Sequence, residues 1–153
     1  MATVLIVDDD PTFMSDLERM LLAAGYRVLT ASDGNTAVEL LEKQRNEIDL
    51  SIVDLGLPGI NGFELIGAIS RRAHSSKVIA TTGIYKDIHL EMSETLGADA
   101  AIRKPAPGRP LPEGQWLATV RRLIGSSERE RHAAAGTTQS PGDKSEPLNG
   151  TGQ

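Results

Sequence analysis

The stretch Thr3-Val4-Leu5-Ile6-Val7-Asp8-Asp9-Asp10-Pro11 decides how the chain folds. Its opening run of β-branched and aliphatic residues reads as a strand, and it stops abruptly on three consecutive carboxylates. Asp10 is suited to cap a helix and Pro11 to occupy its first position, where a missing N–H costs nothing. Phe13, Leu17, Met20, Leu21 and Ala24 then recur on one helical face until Gly25 ends it. A strand leading directly into an amphipathic helix is one βα unit.

The unit recurs along the chain. Further strands are expected at 27–30, 50–53 and 77–81, with a weaker one at 100–102. Helices are expected at 35–43, 62–72 and about 86–96, the last ending at Gly97. A final helix from about residue 113 places Trp116, Leu117, Val120, Leu123 and Ile124 along one stripe. Five βα units in series require a parallel sheet with helices on both faces, because parallel strands are joined only by long crossovers. The fold class is therefore α/β and doubly wound. In such sheets ligands bind beyond the carboxyl ends of the strands, where the strand order reverses.

Of 153 residues, 39% are hydrophobic and 24% charged, an ordinary balance with room for one domain. A Lys+Arg count of 16 against 21 Asp+Glu leaves a net charge of -5, which argues against gripping nucleic acid or an anionic membrane. With no cysteine there is no disulfide, zinc-thiolate site or cysteine nucleophile. The early apolar run is too short for a signal-peptide core or a membrane span, so a cytoplasmic protein is expected. Composition then shifts after Ile124: from 125 to 153 the only large aliphatic is Leu148. The expectation is a folded domain over 1–124 and a disordered tail over 125–153, too short to form an output module.

The strand ends carry the chemistry. Asp8 and Asp9 close the first strand, Asp54 the third, Thr81 and Thr82 the fourth, and Lys104-Pro105 follow the fifth. If the first and third strands are neighbours, the carboxylates converge and repel, so either one takes up a proton or a hard cation sits among them. Oxygen ligands completed by water suit Mg²⁺. Asp54 then serves as a nucleophile toward a phosphoryl group, with the Thr82 hydroxyl and the Lys104 ammonium available to its oxygens. Singly, the neighbours have plainer roles. Asp10 is a helix cap, Asp33-Gly34 a turn and cap pair, and His74, His89 and His132 scattered surface residues.

In order along residues 1–124, residues 4–11, Asp54-Leu55-Gly56-Leu57-Pro58-Gly59 with Gly62, Thr82-Gly83, and Gly97-Ala98-Asp99 leading to Lys104-Pro105 resemble the receiver domain of two-component response regulators. The resemblance implies a flavodoxin-like sheet of order 2-1-3-4-5 and a phosphoryl group accepted on Asp54 from a histidine kinase or phosphotransfer protein. It implies Mg²⁺ held by Asp9, Asp54 and the Gly56 carbonyl, with Asp8 acting through water. It also implies that Thr82 bonds the phosphoryl oxygen and that Lys104 pairs with it on a cis peptide to Pro105. Downstream, a switched affinity for a protein partner is implied.

Three departures stand out. Ala101 occupies the position where receivers commonly hold a switching aromatic, and Tyr85 is a candidate substitute. Residues 105–112 form a proline-rich connection to the last helix. Gly56 leaves the phosphoryl site more open to water than a bulky residue would. Two rival readings remain, a phosphorylation-independent pseudo-receiver scaffold and an aspartate-dependent phosphohydrolase whose nucleophile would lie on the first strand.

Overall fold

A computed structural model describes residues 1–44, 46–71, 76–83 and 87–136. The elements run β1 (Thr3–Val7), α1 (Pro11–Ala23), β2 (Arg27–Ala31), α2 (Gly34–Lys43), β3 (Ile48–Asp54), α3 (Gly62–Ser70), β4 (Lys77–Thr82), α4 (Asp87–Thr95), β5 (Ala100–Arg103) and α5 (Glu113–Gly136). All strands pair in parallel, in the order β2-β1-β3-β4-β5. Burial explains the order. Every residue of β1 and β3 is buried, as central strands covered on both faces must be, whereas β2 and β5 leave residues exposed and take the edges.

Alternation along the strands divides the core in two. Val4, Ile6, Leu50, Ile52, Ile79 and Ile102 face α1 and α5, meeting Phe13, Leu17, Trp116 and Val120. Leu5, Val7, Val53, Val78 and Ala80 face the other way, onto Ala37 and Leu41 of α2 and Leu65, Ile66 and Ile69 of α3. A single-residue slip in any central strand would exchange these sets. Helix α1 starts as expected: the Asp10 side chain accepts from the N–H groups of Thr12 (3.0 Å) and Phe13 (3.3 Å), and Pro11 follows. It stops at Gly25, whose φ of 91° is a conformation that costs glycine least.

The chain departs from expectation at its carboxyl end. Helix α5 continues through Gly136, so residues 125–136 do not belong to a disordered tail. Polar contacts tie this segment to the sheet. Glu130 accepts from Lys77 Nζ at 2.7 Å, Arg131 pairs with the buried Asp49, and Ser127 is buried. Ion pairs to the starts of β4 and β3 thus hold a helical segment that composition alone reads as solvated. Residues 137–153, Tyr85 and His74 lie outside the described residues, as does the side chain of His89; His132 is exposed. Among the described residues no helix is long and apolar enough to cross a membrane.

Candidate functional site

Strand order reverses at β1, whose neighbours are β2 on one side and β3 on the other. The register pairs Val7 with Val53, so the next residues, Asp8 and Asp54, emerge side by side. Asp8, Asp9 and Asp54 each offer an oxygen within 4.8 Å of the others. Asp8 and Asp54 are buried and Asp9 is exposed, which leaves the cluster open on one side. Local turns hold the carboxylates: Asp8 Oδ1 accepts from the Asp10 N–H at 2.8 Å, and Asp54 Oδ1 from the Gly56 N–H at 3.0 Å. Gly62, at the start of α3, packs so closely that a Cβ there would sit 2.2 Å from the Asp54 carbonyl oxygen.

Lys104 reaches into this cluster from the end of β5. Its Nζ lies 2.6 Å from Asp8 Oδ2 and 3.3 Å from Asp54 Oδ2. Its backbone N–H donates to the Thr82 carbonyl at 3.1 Å, which ties the end of β5 to β4. Thr82 is buried at the end of β4, and the preceding Thr81 stands beside Asp54 in the register with an unpartnered Oγ1. Burial pushes the Asp8 carboxyl up to about 6, against the lowering effect of Lys104 and the Asp10 N–H. For Lys104, burial works downward, but Asp8 and then Asp54 outweigh it and hold the ammonium above its ordinary value.

These groups suit a hard divalent cation. One ammonium, 2.6 Å from Asp8 Oδ2 and 3.3 Å from Asp54 Oδ2, does not balance three carboxylates. Opposite oxygens around octahedral Mg²⁺ stand ~4 Å apart, so a cluster spanning 4.8 Å is close to that size, with water completing the shell. Beside the carboxylates a cleft of about 500 Å³ is lined by Asp9, Asp54, Gly56, Gly83, Lys104 and Pro105, among others. Gly56 and Gly83 bring no side chain into it, and residues 103–107 form its proline-rich lip.

The structure brings Asp8, Asp9, Asp54, Gly56 and Lys104 together as the sequence implies. Asp10 acts as the helix cap, and Asp33 caps α2 by accepting from the Thr36 N–H at 2.7 Å. The peptide between Lys104 and Pro105 is trans, contrary to the resemblance. An X-Pro bond prefers trans by ~0.5–1 kcal/mol unless packing selects otherwise, and the residues after Pro105 are exposed. Two residues went unread. Arg103 lines the cleft, and Phe13 places its ring 4.7 Å from Lys104 Nζ. Phe13 reads from sequence only as a core position; its place in the first turn after the Asp10 cap is the signal that it lies near the site.

Comparison with known proteins agrees with this geometry. Residues 4–113 match the family model of the response regulator receiver domain. The chain is 36% identical over 130 residues to the transcriptional regulatory protein AfsQ1 of Streptomyces coelicolor, covering 85% of this chain and 54% of that protein. It is 34% identical over 111 residues to the transcriptional regulatory protein CpxR of Escherichia coli, covering 72% and 46%. The chain thus spans about half the length of these relatives. Among solved structures, a CheY-like receiver domain protein from Methanospirillum hungatei superposes with a TM-score of 0.74 at 27% identity, over 85% of this chain and 98% of that one. A parallel sheet whose reversal point gathers carboxylates and a lysine, matched over most of its length by that model, makes this chain a member of the response regulator receiver family of two-component signalling.

Proposed function

We propose that Asp54 accepts a phosphoryl group from a phosphohistidine on a sensor histidine kinase or phosphotransfer protein in the cytoplasm, and that the acyl phosphate changes which protein the domain binds. The observation that supports this most is the convergence of three carboxylates within 4.8 Å, with Lys104 Nζ 3.3 Å from Asp54. In the transfer an Asp54 oxygen attacks phosphorus. The new O–P bond forms as the P–N bond to the donor imidazole breaks, and the imidazole nitrogen leaves with the bonding pair. The Gly56 N–H holds Asp54 Oδ1, so the carboxylate is oriented before the donor arrives. Lys104 supplies a positive charge to the transferring oxygens, and Thr82 a hydroxyl donor.

Asp9, Asp54 and the Gly56 carbonyl are the residues that would hold Mg²⁺, with Asp8 acting through water. When bound, the ion withdraws charge from the phosphoryl oxygens. The chain's own contribution is then a fixed nucleophile and a neutralised surround. Phosphorylation turns the single carboxylate charge into a phosphoryl group of about two negative charges, a net gain of roughly one, and adds three acceptor oxygens, enough to shift a balance between two packings of nearby loops.

Incubation with Mg²⁺ and acetyl phosphate, followed by intact mass, tests the reading. A base-labile gain of one phosphoryl group is expected, lost in Asp54→Asn and in the presence of chelator. A gain that survives Asp54→Asn and disappears in Asp8→Asn would instead indicate a phosphohydrolase-like nucleophile. No gain at all would indicate a scaffold.

A further inference from the structure

The Lys104 ammonium has a third neighbour besides its two carboxylates. Nζ lies over the Phe13 ring at 4.7 Å from its centroid, within the distance at which a ring face attracts a cation. Phe13 in turn meets Trp116 of α5 edge to face, with centroids 5.9 Å apart and planes at 64°. Trp116 is fully buried, and among the described residues its Nε1 has no hydrogen-bond partner. A buried indole N–H normally finds an acceptor, so Trp116 is placed by packing, and Phe13 is part of that packing.

Both rings belong to the core layer between the sheet and α1 and α5. Ala101 belongs instead to the opposite layer, on the edge strand β5 where α4 meets it, and offers only a methyl group. The aromatic contacts that begin at Lys104 therefore run toward α1 and α5. Lys104 cannot keep all three of its contacts if Asp54 becomes phosphorylated, because the new oxygens extend beyond the carboxylate it now touches. An ammonium that follows them leaves the ring face of Phe13, and Trp116 loses the electrostatic setting of its partner.

We propose that Phe13 is a positioning residue for Lys104 and that the Phe13–Trp116 pair transmits the phosphorylation state of Asp54 to α1 and α5. The proposal rests on Asp54 being the phosphoacceptor, and it names how that site is read.

Trp116 is the one tryptophan in the chain, so its emission reports on this path alone. The full chain is treated with Mg²⁺ and acetyl phosphate while tryptophan emission and intact mass are followed on the same samples. In wild type, emission should change with the same time course as the mass gain. Phe13→Leu should still gain the phosphoryl mass, roughly three- to tenfold more slowly given the usual strength of a cation–π contact, and should lose the emission response. Phe13→Tyr retains the ring face and should restore both. An emission response in Phe13→Leu equal to wild type at equal mass gain overturns the proposal. So does silent emission in phosphorylated wild type, which requires no variant to fold. Absence of any mass gain in wild type removes the phosphoacceptor reading and this proposal with it, and the mass record distinguishes that failure from the other two.

Discussion

Replacing Asp8 by Asn should make the metal-free domain more stable at neutral pH, although it removes a contact of 2.6 Å to Lys104. Burial raises the Asp8 carboxyl from 3.8 to about 6, so the folded state holds this proton more tightly than the unfolded chain does. The sign follows from linkage. Asp8 is favourable to folding below pH 3.8; that advantage is lost as pH rises through about 6, and above it the charged carboxylate burdens the fold. Two pKa units correspond to ~3 kcal/mol, an upper bound because Asn cannot reproduce the ion contact with Lys104. A gain of ~1–3 kcal/mol at pH 7.5 is expected, shrinking below ~1 kcal/mol at pH 4, where the wild-type carboxyl is protonated in the folded state. Urea unfolding in chelator at both pH values measures it. Mg²⁺ should stabilise wild type more than Asp8→Asn, since a ligand stabilises in proportion to its affinity for the folded state. Destabilisation by Asp8→Asn at pH 7.5, or the same difference at both pH values, would refute the electrostatic account of the cluster.

Other perturbations follow from single contacts. Gly62→Ala would push a methyl group to 2.2 Å from the Asp54 carbonyl, and the forced backbone shift should cost ~1–3 kcal/mol in urea unfolding and slow phosphorylation by acetyl phosphate. Arg131→Ala leaves the buried Asp49, among the described residues, with the Thr3 N–H at 2.8 Å and should cost ~1–2 kcal/mol, because Arg131 itself is half-exposed; truncation at Ile124 should cost more. The cap interactions with Thr36 hold the Asp33 carboxyl below its ordinary value, so its contribution is present above pH 3.8 and lost as pH falls through its folded value. Asp33→Ala should accordingly lower stability at pH 7 and flatten the acid side of the pH profile, read by circular dichroism, whereas Asp33→Asn should retain most of the cap.

The fold was legible because its signals are local. A β-branched run, a cap at Asp10 and a helical stripe ending at Gly25 each sit within a few residues of one another, and the order of βα units follows from connection length. The acidic site was legible for a related reason: in a parallel sheet all strand ends lie on one side, so residues distant in sequence can be placed together without knowing a single distance. What escaped notice depended on partners remote in sequence. Residues 125–136 are polar enough to read as a tail, and their ion pairs reach partners as remote in sequence as Asp49 and Lys77. Phe13 has the period of a core residue, and nothing near it in sequence announces a lysine at position 104. The expected cis peptide before Pro105 came from resemblance rather than from residues, and the observed peptide is trans.

The two ends of the central strands carry opposite electrostatic arrangements. At the carboxyl ends of β1 and β3, three acids crowd around one ammonium, an excess of negative charge that suits a cation. At the amino ends, Asp49 takes the Thr3 N–H and the Arg131 guanidinium, and Glu130 takes Lys77. The extended α5 thus adds its ion pairs to the fold at the end where no chemistry is proposed. Strands of this length separate the two ends by ~15 Å, beyond the range at which substitutions usually couple. Asp8→Asn and Arg131→Ala should therefore combine additively to within ~0.5 kcal/mol in metal-free unfolding experiments. Strong coupling between them would mean that α5 senses the acidic site through the whole length of the sheet, and that its extension belongs to the switch rather than to the scaffold.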